Sequence, residues 1–165
     1  YHSIRIDDAY GSYLATNHVI GYGHKKIAFF CGQIKENGVI KKRLCGYQQA
    51  LEEAGIPYDS TLVYEGKVDY DSGIELARKL CNENKDVTAV VATADILAIG
   101  FDDLEISKYL TPGLTTVRQE ISQKGEKAVE LLLDNIQDAD MTKREVIIPV
   151  SLSRRESVRD MRGEE

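Results

Sequence analysis

Apolar residues fall into two rhythms along this chain, one strand-like and one helical, and the rhythms take turns. Ser3-Ile4-Arg5-Ile6 alternates as a short strand does and ends on Asp7-Asp8. Leu14, Ala15, His18, Val19 and Tyr22 then recur at helical spacing, with Gly21 and Gly23 as stop signals. Lys26 to Cys31 (KIAFFC) is a compact apolar run closed by Gly32, the pattern of a buried parallel strand. A polar loop over 33–38 leads into a helix over about 39–54 whose stripe is Ile40, Leu44, Tyr47 and Leu51. Gly55 and Pro57 follow its end. Thr61 to Tyr64 reads as a short strand. Ile74, Ala77, Leu80 and Cys81 place a helix from Asp71 to about Asn82, with Asp71 or Ser72 set to cap it. Val87 to Ala92 (VTAVVA) is another buried strand, and Thr93-Ala94-Asp95 opens a helix carrying Ile96 to Ile99. Ile121, Gly125, Ala128, Val129, Leu132 and Ile136 mark the longest helix. Val146 to Val150 and Leu152 give late strands, and Val158 to Glu165 a frayed tail.

Strands alternating with helices imply βαβ units and a mostly parallel sheet, whose carboxyl edge is where such folds bind ligands. The rhythm breaks once. Ile96 to Ile99 should begin a crossover helix, yet Phe101-Asp102-Asp103 closes a strand. A helix and a strand, roughly 20–25 residues at usual element lengths, are missing between them. Either the chain carries a deletion there, or the intervening residues belong to the protein and not to this sequence; the second reading is favoured. Ala98 to Val117 (AIGFDDLEISKYLTPGLTTV) is therefore the stretch that organises the rest. It delivers a paired carboxylate to a strand end and then breaks at Pro112-Gly113.

Composition narrows the function. The 165 residues fit one domain or two small lobes, and 42% hydrophobic with 29% charged residues suits a packed soluble core. A net charge of -6 argues against this piece holding nucleic acid by neutralising phosphates. Cys31, Cys45 and Cys81 lie in apolar periodic segments without a CxxC, which predicts buried free thiols in a reducing compartment. No apolar run is long enough to span a membrane, and nothing after Tyr1 reads as a signal peptide.

Six segments, in order, carry a resemblance: IDDAYGSYLATNHVIGYGHKKIAFFCG, RLCGYQQALEEAGI, DYDSGIELARKL, TAVVATADILAIG, GFDDLEISKYLTPGLTTVRQ and IPVSLSRRES. Over residues 3–158 they resemble the effector-binding core of the lactose/galactose-repressor family of bacterial transcription regulators. The resemblance implies an α/β fold of the periplasmic-binding-protein-like type I. Two doubly wound parallel-sheet lobes are joined by three crossovers, and the fold is incomplete here. Lobe changes near Gly32-Gln33, Val117-Arg118 and Ile148-Pro149 would assign 1–32 and 118–147 to a remnant of the N-terminal lobe. Residues 33–117 and 148–165 would form the C-terminal lobe. The family's DNA-binding head and hinge helix are absent from this sequence. By resemblance the protein is a cytoplasmic homodimer that senses a sugar or sugar derivative between its lobes and meets operator DNA through that head. No cofactor or metal is implied. The alternative is a solute-binding protein of a sugar uptake system, which shares the two-lobed fold; the cysteines, GFDD and RRES lean towards the regulator.

Candidate ligand contacts are Arg43, Asp102, Asn37, Tyr10, Asp8 and Asp95. Arg43 sits at the edge of its helix's apolar stripe while Lys41 and Lys42 point away. A guanidinium there needs a fixed partner, and its fork suits hydroxyls or carboxylates. An edge arginine reaching into solvent is the plain alternative; the resemblance makes Arg43 an effector contact. Asp102 ends an apolar approach and could accept sugar hydroxyls. By resemblance Asp102 binds and Asp103 caps the turn Leu104–Leu110. Asp95 caps its helix or faces the cleft, and Ala94 replaces the Asn that relatives use before it. Asn37 falls where some relatives place a polar contact. By the same resemblance Asp7, Asp8 and Tyr10 would line the first lobe's rim, although a surface turn accounts for them nearly as well. His18 and His24 share no helical face and have no partner at metal spacing; His24 falls where the family keeps a helix-to-strand turn histidine, and the resemblance implies a structural role. Arg154-Arg155 reads as a solvated strand edge. No GxSxG, P-loop or GxGxxG is present. An enzyme using Asp102 and Asp103 together is disfavoured, because neighbours on a strand point to opposite faces.

Overall fold

The computed structural model describes residues 2–94, 100–137 and 144–163. The elements run β1 (Ser3–Ile6), α1 (Asp8–Gly21), β2 (Ile27–Cys31), α2 (Val39–Glu53), β3 (Val63–Glu65), α3 (Tyr70–Glu83) and β4 (Ala89–Ala92). They continue with β5 (Gly100–Phe101), β6 (Thr116–Gln119), α4 (Ile121–Gln137), β7 (Glu145–Ile148) and β8 (Val150–Ser153). Short 3-10 turns cover Ser60–Leu62 and Glu105–Lys108. The helix expected at Ile96 to Ile99 lies outside the described residues.

Every residue of β2 is buried, as its unbroken apolar run requires, because β3 and β4 flank it in parallel and helices cover its faces. β5 pairs in parallel with β6, and β8 closes that sheet antiparallel to β6. One core joins the two three-stranded sheets: Val19, Phe29, Tyr47, Val91, Phe101, Val117 and Val150 pack in a single cluster. α1 packs on α2 and reaches β4, β6 and β8. The helices meet at Gly46, where an added Cβ would stand 1.9 Å from the carbonyl oxygen of Ala9.

β1 and β7 form their own parallel pair, with Ile4 beside Val146 and Ile6 beside Ile148, and α4 packs on both. Single residues connect this unit to the rest: Asp7 before α1, Glu120 before α4 and Pro149 before β8. These pairings correct the lobe boundary drawn near Gly32-Gln33. β2 hydrogen-bonds to β3 and β4, and α1 packs on α2, so residues 8–32 share a sheet and a core with α2, β3 and β4. The boundary at Val117-Arg118 likewise falls inside β6. Ile148-Pro149 does separate strands of different sheets.

Local chemistry departs from the sequence pattern in three further places. α3 is capped by Asp69, whose carboxylate accepts from the Ser72 amide at 2.8 Å, because the helix starts one residue early. The tail is tethered rather than frayed. The amide of Met161 donates to the Tyr22 carbonyl at 2.8 Å, and the Arg162 guanidinium lies 5.1 Å from the Tyr22 ring. Only Cys31 is buried; Cys45 and Cys81 sit on outward faces of α2 and α3. Burial pushes the Cys31 thiol up to about 12, with Glu65 adding to the shift. A disulfide reagent near pH 8 is therefore expected to titrate Cys45 and Cys81 in the native chain and Cys31 only after denaturation. Rapid labelling of all three would contradict this packing.

Candidate functional site

The site begins where two helices start. Asp7 caps α1 by accepting from the Tyr10 amide at 2.9 Å, which puts Asp8 in the first helical turn, where the helix dipole favours a negative charge. Asp8 is 6% exposed. Facing it from α2 is Arg43, 8% exposed. Nε and Nη2 of Arg43 both donate to Oδ1 of Asp8, at 2.9 and 2.8 Å, and Nη1 donates to the Thr93 carbonyl at 2.7 Å. The flat of the guanidinium lies on Phe101, with Cζ 3.5 Å from the ring centroid. Gly11 backs the same ring so closely that a Cβ there would stand 2.7 Å from it. Gly11, Phe101, Arg43 and Asp8 thus pack together at the carboxyl edge of β4 and β5, with the guanidinium stacked on the ring and Asp8 bonded to its edge.

Asp102 follows Phe101 directly. It and Asp103 form a turn with φ of 115° and 49°, so alternation along a strand does not govern their directions. The Asp102 amide donates to the Val117 carbonyl at 2.9 Å, and its carboxylate accepts from Gln119 Nε2. Asp103 does not cap the following 3-10 turn, which has no side-chain cap. Its carboxylate accepts instead from Arg155 Nη2 at 2.6 Å and Ser153 Oγ at 2.8 Å. Arg155 is thus no solvated edge. The residues after β8 pass beside this turn, leaving its side chain 20% exposed, and Nη1 also donates to the Leu114 carbonyl at 2.6 Å.

Asp102, Gln119 and Arg155 line a cleft of about 400 Å³ with Lys108 and Glu120. A larger cleft, about 1110 Å³, opens at the carboxyl ends of β2 and β3, lined by Gln33, Val39, Glu65, Lys67 and Asp71 among others. Asn37 stands exposed in the turn before α2. Tyr10 is 48% exposed on α1, its ring 6.1 Å from that of Tyr13. Neither joins the Arg43 stack, and Asp95 lies outside the described residues. His24 is buried between Thr88 Oγ1 at 2.9 Å and the Arg159 carbonyl at 3.0 Å, which is a structural role. Burial lowers the pKa of His18, and Arg154 adds to that shift. Among the described residues no cluster of three or more His, Cys, Asp or Glu side chains is placed to hold a metal. None of the helices there is long and apolar enough to cross a membrane.

Residues 2–105 match the family described as periplasmic binding proteins and the sugar binding domain of the LacI family. The chain belongs to this family. Residues 94–158 match a periplasmic binding protein-like domain. The ribose operon repressor of Haemophilus influenzae is 31% identical, the match covering 92% of this chain and 52% of that protein. The transcriptional regulator GalR of Escherichia coli is 33% identical over 94% of this chain and 51% of its own length. Among solved structures, the regulator CelR in complex with cellobiose superposes with a TM-score of 0.86 at 31% identity, covering 94% of this chain and 54% of that one. A LacI-family regulator from Enterococcus faecium with bound ribose gives 0.86 at 26% identity, over 98% and 66%. The chain spans about half the length of the curated relatives it matches. The alignment to the ribose repressor runs over 172 positions yet covers only 92% of these 165 residues, so that relative holds residues this LacI-family chain lacks inside the matched region. The architecture is α/β and periplasmic-binding-protein-like.

Proposed function

We propose that this LacI-family chain is the effector-sensing core of a DNA-binding transcription regulator, and that it binds a sugar or sugar derivative between two lobes. The observation that carries the reading is the Arg43 guanidinium fixed against Phe101, one residue before Asp102 at the carboxyl edge of the sheet. Asp102, in the cleft wall, offers a carboxylate to accept from sugar hydroxyls, and Arg43 has as donors the two N–H groups of its fork not given to Asp8 or Thr93. The lobes are redrawn to follow the strand pairings: β1, β7 and α4 in one, the remaining elements in the other. Binding changes operator affinity by favouring one interlobe arrangement, through unequal affinity for the two. The whole protein is a cytoplasmic homodimer that meets operator DNA through a separate head. Asn37, Tyr10 and Asp95 are secondary contacts in this scheme. The repressors and sugar-bound regulators among the relatives favour this over uptake.

The test is calorimetric titration of the full-length protein with ribose and with cellobiose, the sugars bound by two relatives. At least one is expected to bind, and Asp102→Asn is expected to weaken it by roughly tenfold or more, the worth of a charge-assisted hydrogen bond. Unchanged affinity in Asp102→Asn would remove Asp102 from the site. An operator affinity indifferent to a bound sugar would overturn the sensing role.

A further inference from the structure

We infer that Arg155 is a positioning residue for the Asp102 carboxylate, acting through Asp103. This rests on the reading of Asp102 as a ligand contact.

Two consecutive residues with side chains hold positive φ, 115° at Asp102 and 49° at Asp103. Aspartate tolerates the second value well and the first poorly. Such a pair persists only where its surroundings hold it from several sides. The turn's backbone is tied by the Asp102 amide, which donates to the Val117 carbonyl at 2.9 Å, and more loosely by the Asp103 amide, which reaches Thr116 Oγ1 at 3.3 Å. Side-chain contacts hold both residues: the Asp102 carboxylate accepts from Gln119, and the Asp103 carboxylate accepts from Arg155 at 2.6 Å on one oxygen and from Ser153 at 2.8 Å on the other. These side chains are 12% and 20% exposed for Asp103 and Arg155, so solvent and salt screen the pair weakly. Arg155 is itself anchored. Its Nη1 donates to the Leu114 carbonyl at 2.6 Å and its amide to Thr115 Oγ1 at 2.9 Å, on a threonine with no exposed surface.

A line of fixed contacts therefore runs from Leu114 and Thr115, just before β6, through Arg155 to Asp103, and Ser153 of β8 joins it directly. With Asp103 pinned, the backbone that carries Asp102 is held at the cleft, where its carboxylate accepts from Gln119. Both residues border the cleft; Asp103 is tied back by Arg155 and Ser153, and Asp102 meets Gln119 at the cleft wall. Releasing Arg155 frees the turn to relax, and Asp102 then loses its direction while the core beneath it stays packed.

The experiment compares wild type, Arg155→Met, Arg155→Lys and Asp103→Asn by nuclear magnetic resonance of the full chain without ligand. Three-bond couplings between amide and α protons report φ at Asp102 and Asp103. In Arg155→Met both are expected to leave their wild-type values while resonances from β2 and α2 stay in place; Arg155→Lys is expected to recover them in part. Should Arg155→Met fail to fold, Asp103→Asn answers the same question, because it keeps the shape and removes the charge. Unchanged Asp102 couplings in the folded variant would overturn the inference and leave Arg155 a purely structural tie. Titration with ribose then adds the functional readout, with affinity expected to fall roughly tenfold in Arg155→Met and to recover in Arg155→Lys. Wild type that ignores ribose counts against ribose as the effector, and the couplings still decide the positioning role.

Discussion

Arg43→Met is expected to lower the unfolding free energy by about 3–5 kcal/mol, the usual cost of removing one member of a buried ion pair. The loss has two sources. Asp8 is left 6% exposed with its cationic donors gone, and a carboxylate in that position carries its desolvation penalty uncompensated. The Thr93 carbonyl and the face of Phe101 lose their partner as well. Urea unfolding with an unchanged slope would report the cost as a shift in midpoint. The double variant Asp8→Ala with Arg43→Met should lose less than Arg43→Met alone, since no charge is then stranded. A single-variant cost below about 1 kcal/mol would mean that the pair is not buried as described.

Gly46→Ala is the second large effect. A methyl group there would stand 1.9 Å from the Ala9 carbonyl oxygen, 2.8 Å from its carbon and 3.0 Å from the Tyr13 amide nitrogen. All of these are backbone atoms, so no side chain can swing aside, and α1 and α2 must separate along their length. A cost of about 3 kcal/mol is expected, at the upper end for overpacking, even after the gain of about 1 kcal/mol that alanine brings to a helix. Gly125 offers the control. It lies within α4 with nothing within 4 Å of an added Cβ, so the same substitution there should stabilise by roughly 0.5–1 kcal/mol. Opposite signs for one chemical change would tie the cost to the helix contact. Equal effects would dismiss it.

Sequence reading went furthest where short-range rules suffice. KIAFFC could only be a buried strand, and the stripe of α2 was plain in its spacing. That Arg43 needs a partner was legible too, because a guanidinium beside an apolar face must be satisfied. Which partner was not legible: Asp8 stands 35 residues away, and along the chain it looked like a turn acid. Asp103 failed for a related reason. Capping is a local rule, and a tertiary contact with Arg155, 52 residues on, displaced it. The lobe boundary after β2 failed because an apolar run shows that a strand is buried and says nothing about which strands flank it. Phe101 was read as an approach to the carboxylates, and nothing in the sequence marks it as the surface on which Arg43 rests.

The connections around β1 and β7 have a mechanical consequence. Ile6 and Ile148 are register partners, so the chain leaves this pair twice, side by side and at one level, through Asp7 and Pro149. These two short tethers, with the third single-residue link at Glu120, leave the units they join only a limited swing and resist twisting and sliding. Neither tether is slack: proline fixes its own φ, and Asp7 is held by its bond to the Tyr10 amide. A swing wide enough to break that bond would fray the first turn of α1, where Asp8 meets Arg43.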